Sequence, residues 1–233
     1  MASTLTLAKS RGFRIAAFIG VVLLVGALSP PVVSAQYLHP KITKQSTIHN
    51  VVILPAKVNV VRDSMKGPEG MAGESELLSA RVENAVAEVL AKKNVKRLNT
   101  PTSSSGDGTQ QKYTAADIQA KFDDLLPKIM KKRGDVKKGR FSMGDEVLNL
   151  NLDKSTDAIV FIRGQGQKLS SGKKTFVLLV GGMPAYLRMM IGIVDARSGE
   201  VLLYTDPVFA GDPTTAVARL RKALEKGFKK LPS

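Results

Sequence analysis

The sequence predicts an α+β fold: a mixed, mostly antiparallel sheet with amphipathic helices packed on it. Three observations predict it. Short apolar runs rich in β-branched residues, such as Val51-Val-Ile-Leu54 and Asp157-Ala-Ile-Val-Phe-Ile162, read as buried strands. Two other stretches, 75–93 and 114–129, repeat apolar residues at helical spacing on one face, and such a face has to be covered by a sheet. Towards the C-terminus strand-like runs follow one another with turn residues between them, the pattern of an antiparallel meander.

In chain order, residues 36–48 lack a clear period and read as a lead-in, so one α/β domain is expected over 49–233. Residues 49–61 read as a strand pair or one long bent strand, with Val58 and Val60 alternating with polar neighbours and Pro55 marking the bend. A loop at 65–73 leads to the first helix, whose Leu78, Val82, Ala85, Val86, Val89 and Leu90 share a face. Residues 95–98 fit a short strand, and 99–112, of low complexity, read as a flexible loop. Thr114-x-x-Asp117 is a capping box in front of Ile118, Phe122, Leu125, Leu126 and Ile129, and Pro127 predicts a kink or break. Ser142 reads as the cap of a further helix through Leu152. Beyond the central strand at 157–162, residues 175–180 and 187–194 read as strands separated by Gly181-Gly-Met-Pro184. Asp195-Ala-Arg-Ser-Gly-Glu200 is a hairpin turn, Gly199 taking its left-handed position, and Val201-Leu-Leu-Tyr204 is the return strand. Asp212-Pro213 reads as the start of the last helix, with Val217, Leu220, Leu224, Phe228 and Leu231 in one stripe.

The first 35 residues read as a secretory signal peptide. Lys9, Arg11 and Arg14 precede an apolar run of 14 residues ending at Leu28, and Val33 and Ala35 hold the small-residue positions before a cleavage point ahead of Gln36. The run is short of the roughly 20 residues that a membrane span needs, and Pro30-Pro31 ends it. The expected product is periplasmic or secreted. The chain has no cysteine, which excludes disulfides, a thiolate nucleophile and a cysteine-based lipid anchor.

The formal net charge is +15; without the three cations of the leader, residues 36–233 keep +12. An exported protein this basic is drawn to polyanions such as anionic lipid or glycan surfaces. Specific nucleic-acid binding is not expected, because stacking on bases needs aromatic surface and the chain has no Trp and four Tyr. The strongest local patch is 128–140, where Lys128, Lys131, Lys132, Arg133, Lys137, Lys138 and Arg140 face Asp135 alone; these are the candidate binding residues.

Catalysis has little to work with. Only His39 and His49 offer the usual histidine base, and Ser142 sits one residue out of step with a nucleophile elbow. Asp157, Asp195, Asp206 and Asp212 follow no metal-ligand spacing, so neither a metal nor another cofactor is expected. Gly164-Gln-Gly-Gln-Lys168 and Gly181-Gly182 look like fragments of phosphate loops but do not lead from a strand into a helix, and read as hairpin glycines.

The order of elements, together with Ser155-Thr-Asp-Ala-Ile-Val-Phe-Ile162 and Gly192-Ile-Val-Asp-Ala-Arg-Ser-Gly-Glu-Val-Leu-Leu203, resembles the bacterial envelope proteins built on a TolB amino-terminal type of α/β domain, which include curli-secretion lipoproteins. The resemblance covers roughly 48–230 and implies a non-catalytic envelope protein that works by binding other envelope proteins. The missing lipidation cysteine departs from many members. Two alternatives belong to other classes: a secreted hydrolase with an unrecognised site, and a polyanion-binding protein that uses 128–140.

Overall fold

The computed structural model describes residues 35–43, 47–99, 114–150, 152–179, 183–212 and 214–233. The leader, most of the low-complexity loop at 99–112, the Gly181-Gly182 pair and Pro213 lie outside the described residues. Among the described residues nine strands form one mixed sheet: β1 (Gln36–Leu38), β2 (Asn50–Ile53), β3 (Lys57–Ser64), β4 (Gly67–Gly70), β5 (Lys96–Leu98), β6 (Ala158–Leu169), β7 (Ala185–Asp195), β8 (Val201–Thr205) and β9 (Val208–Ala210). The helices are α1 (Ala72–Ala91), α2 (Ala115–Lys131), α3 (Ser171–Leu179) and α4 (Val217–Gly227), with 3-10 helices at Arg133–Lys138 and Asp145–Leu150.

The spine is the long antiparallel pair β6 and β7, in register from Ala158 opposite Asp195 to Lys168 opposite Ala185. Each is flanked by two shorter strands in succession. Along β6 run β2 and then β3, both parallel to it; along β7 run β8 and then β9, both antiparallel. Of the two forms expected for 49–61, the structure has the strand pair, β2 and β3, joined at a bend. Ile53 pairs with Val160 and Lys57 with Arg163, so the β2–β3 side carries one extra residue in the bend, where Pro55 has no amide to give to the ladder.

The near half of the spine is buried on both faces. On one, Val51, Ile53, Val160, Ile162, Ile191 and Ile193 pack with Leu78, Val82, Val86 and Val89 of α1 and with Leu220 and Leu224 of α4. On the other, Val52, Leu54, Ile159, Phe161 and Val194 pack with Ile118, Phe122, Leu126 and Ile129 of α2 and with Val136 and Val147 of the 3-10 helices. Among the described residues the far half is covered on the α1 side alone, where Val58, Val60, Leu187, Met189 and Phe209 are buried. Its other face carries Lys57, Asn59, Gln165, Gln167, Tyr186 and Arg188, each exposed or half-buried.

The outer edge of β3 is satisfied by a helix. Ser75, Ser79 and Glu83 stand one turn apart on α1. Their side-chain oxygens accept the amides of Val60 (2.9 Å), Val58 (3.0 Å) and Ala56 (3.3 Å).

Several expectations are corrected. Residues 36–38 are an edge strand rather than lead-in: β1 pairs with β8, and the amide of Lys230 donates to the Gln36 side chain at 2.6 Å. The loop expected at 65–73 contains β4, which folds back on β3. Residues 175–179 belong to α3, not to a strand. An apolar run this short fits either period, and β6 and β7 already pair with each other as far as Lys168 and Ala185. The helix expected from Ser142 is instead a bridge to Glu200 and a 3-10 turn, because Gly144, at φ 78°, turns the chain between Ser142 and Asp145. Asp212 holds the turn before α4, accepting the Thr214 amide at 2.9 Å, and the helix begins only at Val217, which is exposed. Gly164 and Gly166 lie inside β6 rather than in a hairpin; a Cβ on Gly164 would meet Val58 at 2.9 Å.

Pro127 does not break α2. The helix runs through it from its capping box at Thr114 and Asp117, and Ile118, Phe122, Leu126 and Ile129 stay buried along the whole face. Burying four large apolar side chains, at about 1.5–3 kcal/mol each, outweighs the ~3 kcal/mol that an internal proline costs.

Candidate functional site

The basic residues singled out from the sequence fall at the end of α2, on its C-cap Lys132, and on the 3-10 helix that follows, save Arg140, which comes after Gly139. Lys131, Lys132 and Arg133 line a groove of about 500 Å³ together with Tyr37, Met130, Gly134 and Asp135. Lys137 joins them by placing its Nζ 5.7 Å from the centre of the Tyr37 ring. The others are not gathered there. Lys138 and Arg140 both approach Asp135 Oδ1 at 3.6 Å, and Lys128 is exposed on the helix. The turn that ends the 3-10 helix is Gly139 at φ 65°, where a Cβ would lie 2.5 Å from Nε2 of the buried His39.

Behind the groove lies a polar cluster. Asp206, 5% exposed, sits where β8 gives way to β9, and its Oδ2 takes Arg133 from the 3-10 helix at 3.1 Å and Arg188 from β7 at 3.2 Å. Beside it Tyr204, fully buried in β8, stands opposite Tyr37 with ring centres 6.5 Å apart. Among the described residues the Tyr204 hydroxyl, Asp206 Oδ1 and Arg133 Nε have no hydrogen-bond partner. Burial, reinforced by the Asp206 charge and opposed by Arg133 and Arg188, pushes the Tyr204 hydroxyl up to about 12.

That shift has a measurable sign. Unfolded tyrosine ionises near 10, so between pH ~10 and ~12 the folded state binds this proton and the unfolded state does not. The stability it contributes is complete below pH ~10 and is lost as pH rises through ~12. Tyr204→Phe should flatten this alkaline loss. Denaturant midpoints of both proteins at about pH 9 and 11 check it, and equal alkaline losses would refute it.

A second cavity, of about 610 Å³, shares Met130 with the groove. Its floor is Arg163, 7% exposed, whose guanidinium binds both Asp123 carboxylate oxygens, the Ile162 carbonyl (3.0 Å) and the Gln119 carbonyl (3.2 Å). Lys57, Asn59 and Gln165 bring it onto the uncovered half of the sheet. The two hollows meet at Met130, near the end of α2.

Sequence reasoning passed over Tyr37, Arg163, Arg188 and the pairing role of Asp206. Arg163 and Arg188 had a visible signal, since Arg163 ends the apolar run Ala158–Ile162 and Arg188 is the lone cation of β7. Tyr37 had none, because its strand is three residues long.

The residues weighed for catalysis have the following contacts. His49 is exposed, with Nε2 3.0 Å from the Thr47 hydroxyl, and Ser142 accepts the Gly144 amide at 3.0 Å. Asp157 caps the start of β2 by accepting the His49 and Asn50 amides, both at 2.9 Å, while Asp195 accepts the Arg197 and Ser198 amides, both at 2.8 Å. Asp212 and Glu74 hold Lys168. Among the described residues no group of three acidic, His or Cys side chains could hold a metal ion, and no helix is long and apolar enough to cross a membrane.

No family model and no curated protein matches the chain. Among solved structures it is similar to a PelC dodecamer from Paraburkholderia phytofirmans (9% identity, TM-score 0.41, covering 86% of this chain and 97% of that one). It is also similar to a DUF4136 family protein from Bacteroides thetaiotaomicron (10% identity, TM-score 0.34, 85% and 94%) and to a lipoprotein from Neisseria meningitidis (12% identity, TM-score 0.34, 78% and 97%).

Proposed function

We propose that this chain is an exported cell-envelope protein, a binding and assembly module without catalysis, and that its recognition surface is the basic groove at the end of α2. The observation that carries the reading is the convergence of Lys131, Lys132, Arg133 and Lys137 on Tyr37, in a chain whose residues 36–233 keep a net charge of +12. Export is supported by the leader-like first 35 residues. Such a groove selects an anionic partner, either a polymer or an acidic protein surface.

Retention on heparin tests this. With about four charge contacts, affinity should fall roughly a hundredfold between ~50 and ~200 mM salt. Changing Lys131, Lys132 and Lys137 to Gln should remove most of that dependence while leaving the denaturant midpoint in place. Salt-independent retention, or an unchanged variant, would count against the groove.

A second reading, docking onto an envelope protein through apolar contact, is favoured by Met65 and Leu179, each 80% exposed, and by the exposed Leu178 and Met183 close to Leu179 in the chain. Its signature is a discrete protein from envelope extract that stays bound at moderate salt and is released by Leu178→Ser with Leu179→Ser.

A further inference from the structure

We propose that the uncovered half of the sheet, next to the basic groove, binds a carboxylated polysaccharide laid along β6. The inference rests on the groove reading above and names the chemistry of the partner. From Arg163 to Leu169 the strand gives a floor about 20 Å long. The floor is walled at one end by α2 and bounded at the other by α3, whose Lys173 pairs with Asp63 at 2.7 Å.

The floor side chains are in register. Asn59, Gln165 and Arg188 stand opposite one another across β3, β6 and β7, and Gln167 faces Tyr186 in the next row. Residues opposed in this way stand on one face of the sheet. Primary amides both donate and accept, as sugar hydroxyls do, whereas a polyphosphate offers only acceptors and leaves the Asn and Gln carbonyls unmatched. Beside the exposed Lys57 of the same face, Arg188 supplies the planar charge. Its contact to Asp206 uses one of five N–H donors, and a guanidinium binds a carboxylate in a planar, two-bond fit. Nucleic acid suits the floor less well, since Tyr186 is its one aromatic side chain among the described residues and base stacking needs several.

The experiment titrates the purified full chain with polygalacturonate, which carries carboxylates and hydroxyls, with dextran, which carries hydroxyls alone, and with polyphosphate, which carries charge alone. Polygalacturonate should bind at least tenfold more tightly than either. Gln165→Ala with Gln167→Ala, which leaves every charge in place, should lower polygalacturonate affinity about tenfold and leave polyphosphate affinity unchanged. Arg188→Gln should lower polygalacturonate affinity about tenfold and leave dextran affinity unchanged; because Asp206 loses a partner in that variant, its denaturant midpoint is measured alongside. Equal or tighter binding of polyphosphate, or a double variant that weakens both polyanions equally or neither, would overturn the proposal. If heparin retention remains lysine-dependent in that case, the groove stands and only the sheet face is wrong. If heparin is not retained either, both readings fail.

Discussion

Gly192→Ala is expected to destabilise the protein by about 3 kcal/mol, the upper end of what overpacking a core costs. Gly192 lies in β7 opposite Phe161, and an added Cβ would fall 2.5 Å from Cε2 and 2.7 Å from Cζ of Phe122. That ring has nowhere to go. It is fully buried and stacked on Phe161 with centres 4.6 Å apart, and α2 is fixed above it by the capping box at one end and by the Asp123–Arg163 pair one residue further along. Phe122→Leu removes the two clashing ring atoms, so it should recover part of the loss when combined with Gly192→Ala. Alone it should cost less than Phe122→Ala, for which about 3–5 kcal/mol is expected. Denaturant midpoints for the two single variants and the double give the coupling energy directly. Strict additivity would show that the strand and the ring are not in contact as described.

Asp123→Ala is expected to cost about 2–4 kcal/mol, because it leaves the Arg163 guanidinium at 7% exposure with backbone carbonyls and no counter-charge. The figure sits below the worst cases for a broken buried pair, since the Asp123 side chain is 40% exposed and water reaches that side of the contact. Replacing both partners at once, Asp123→Leu with Arg163→Met, should come much closer to the wild-type midpoint than Asp123→Ala does. The desolvation cost of the cation disappears together with its partner. If the double variant is no more stable than Asp123→Ala, the pair contributes more than charge compensation.

Much of this architecture was legible because local signals agreed with the tertiary ones. Phe161 and its neighbours form an unbroken apolar run, Pro55 marks the bend between β2 and β3, and Gly199 does hold φ 69° in the β7–β8 turn. Thr114 and Asp117 form the capping box that their spacing announced. What the sequence hid was set by partners far away in the chain. Residues 36–38 become a strand only because β8 offers an edge, and 175–179 become a helix where β6 and β7 pair with each other. The basic segment was visible as a charge run. Its division into cations that line a groove and cations held by Asp135 depends on the 3-10 turn and on Tyr37, 94 positions before Lys131. The two hollows were invisible for the same reason: Arg163 and Arg133 come from separate elements.

The ladder of Ser75, Ser79 and Glu83 along β3 bears on how anything can approach that flank of the molecule. An open strand edge reads a newcomer through main-chain hydrogen bonds and so accepts almost any extended peptide. Here the amides of Ala56, Val58 and Val60 are already engaged from within. Zippering of a foreign strand onto residues 56–60 is closed off. Whatever is recognised beside Lys57 and Asn59 has to be recognised by its own functional groups, a demand that trades promiscuous adhesion for selectivity.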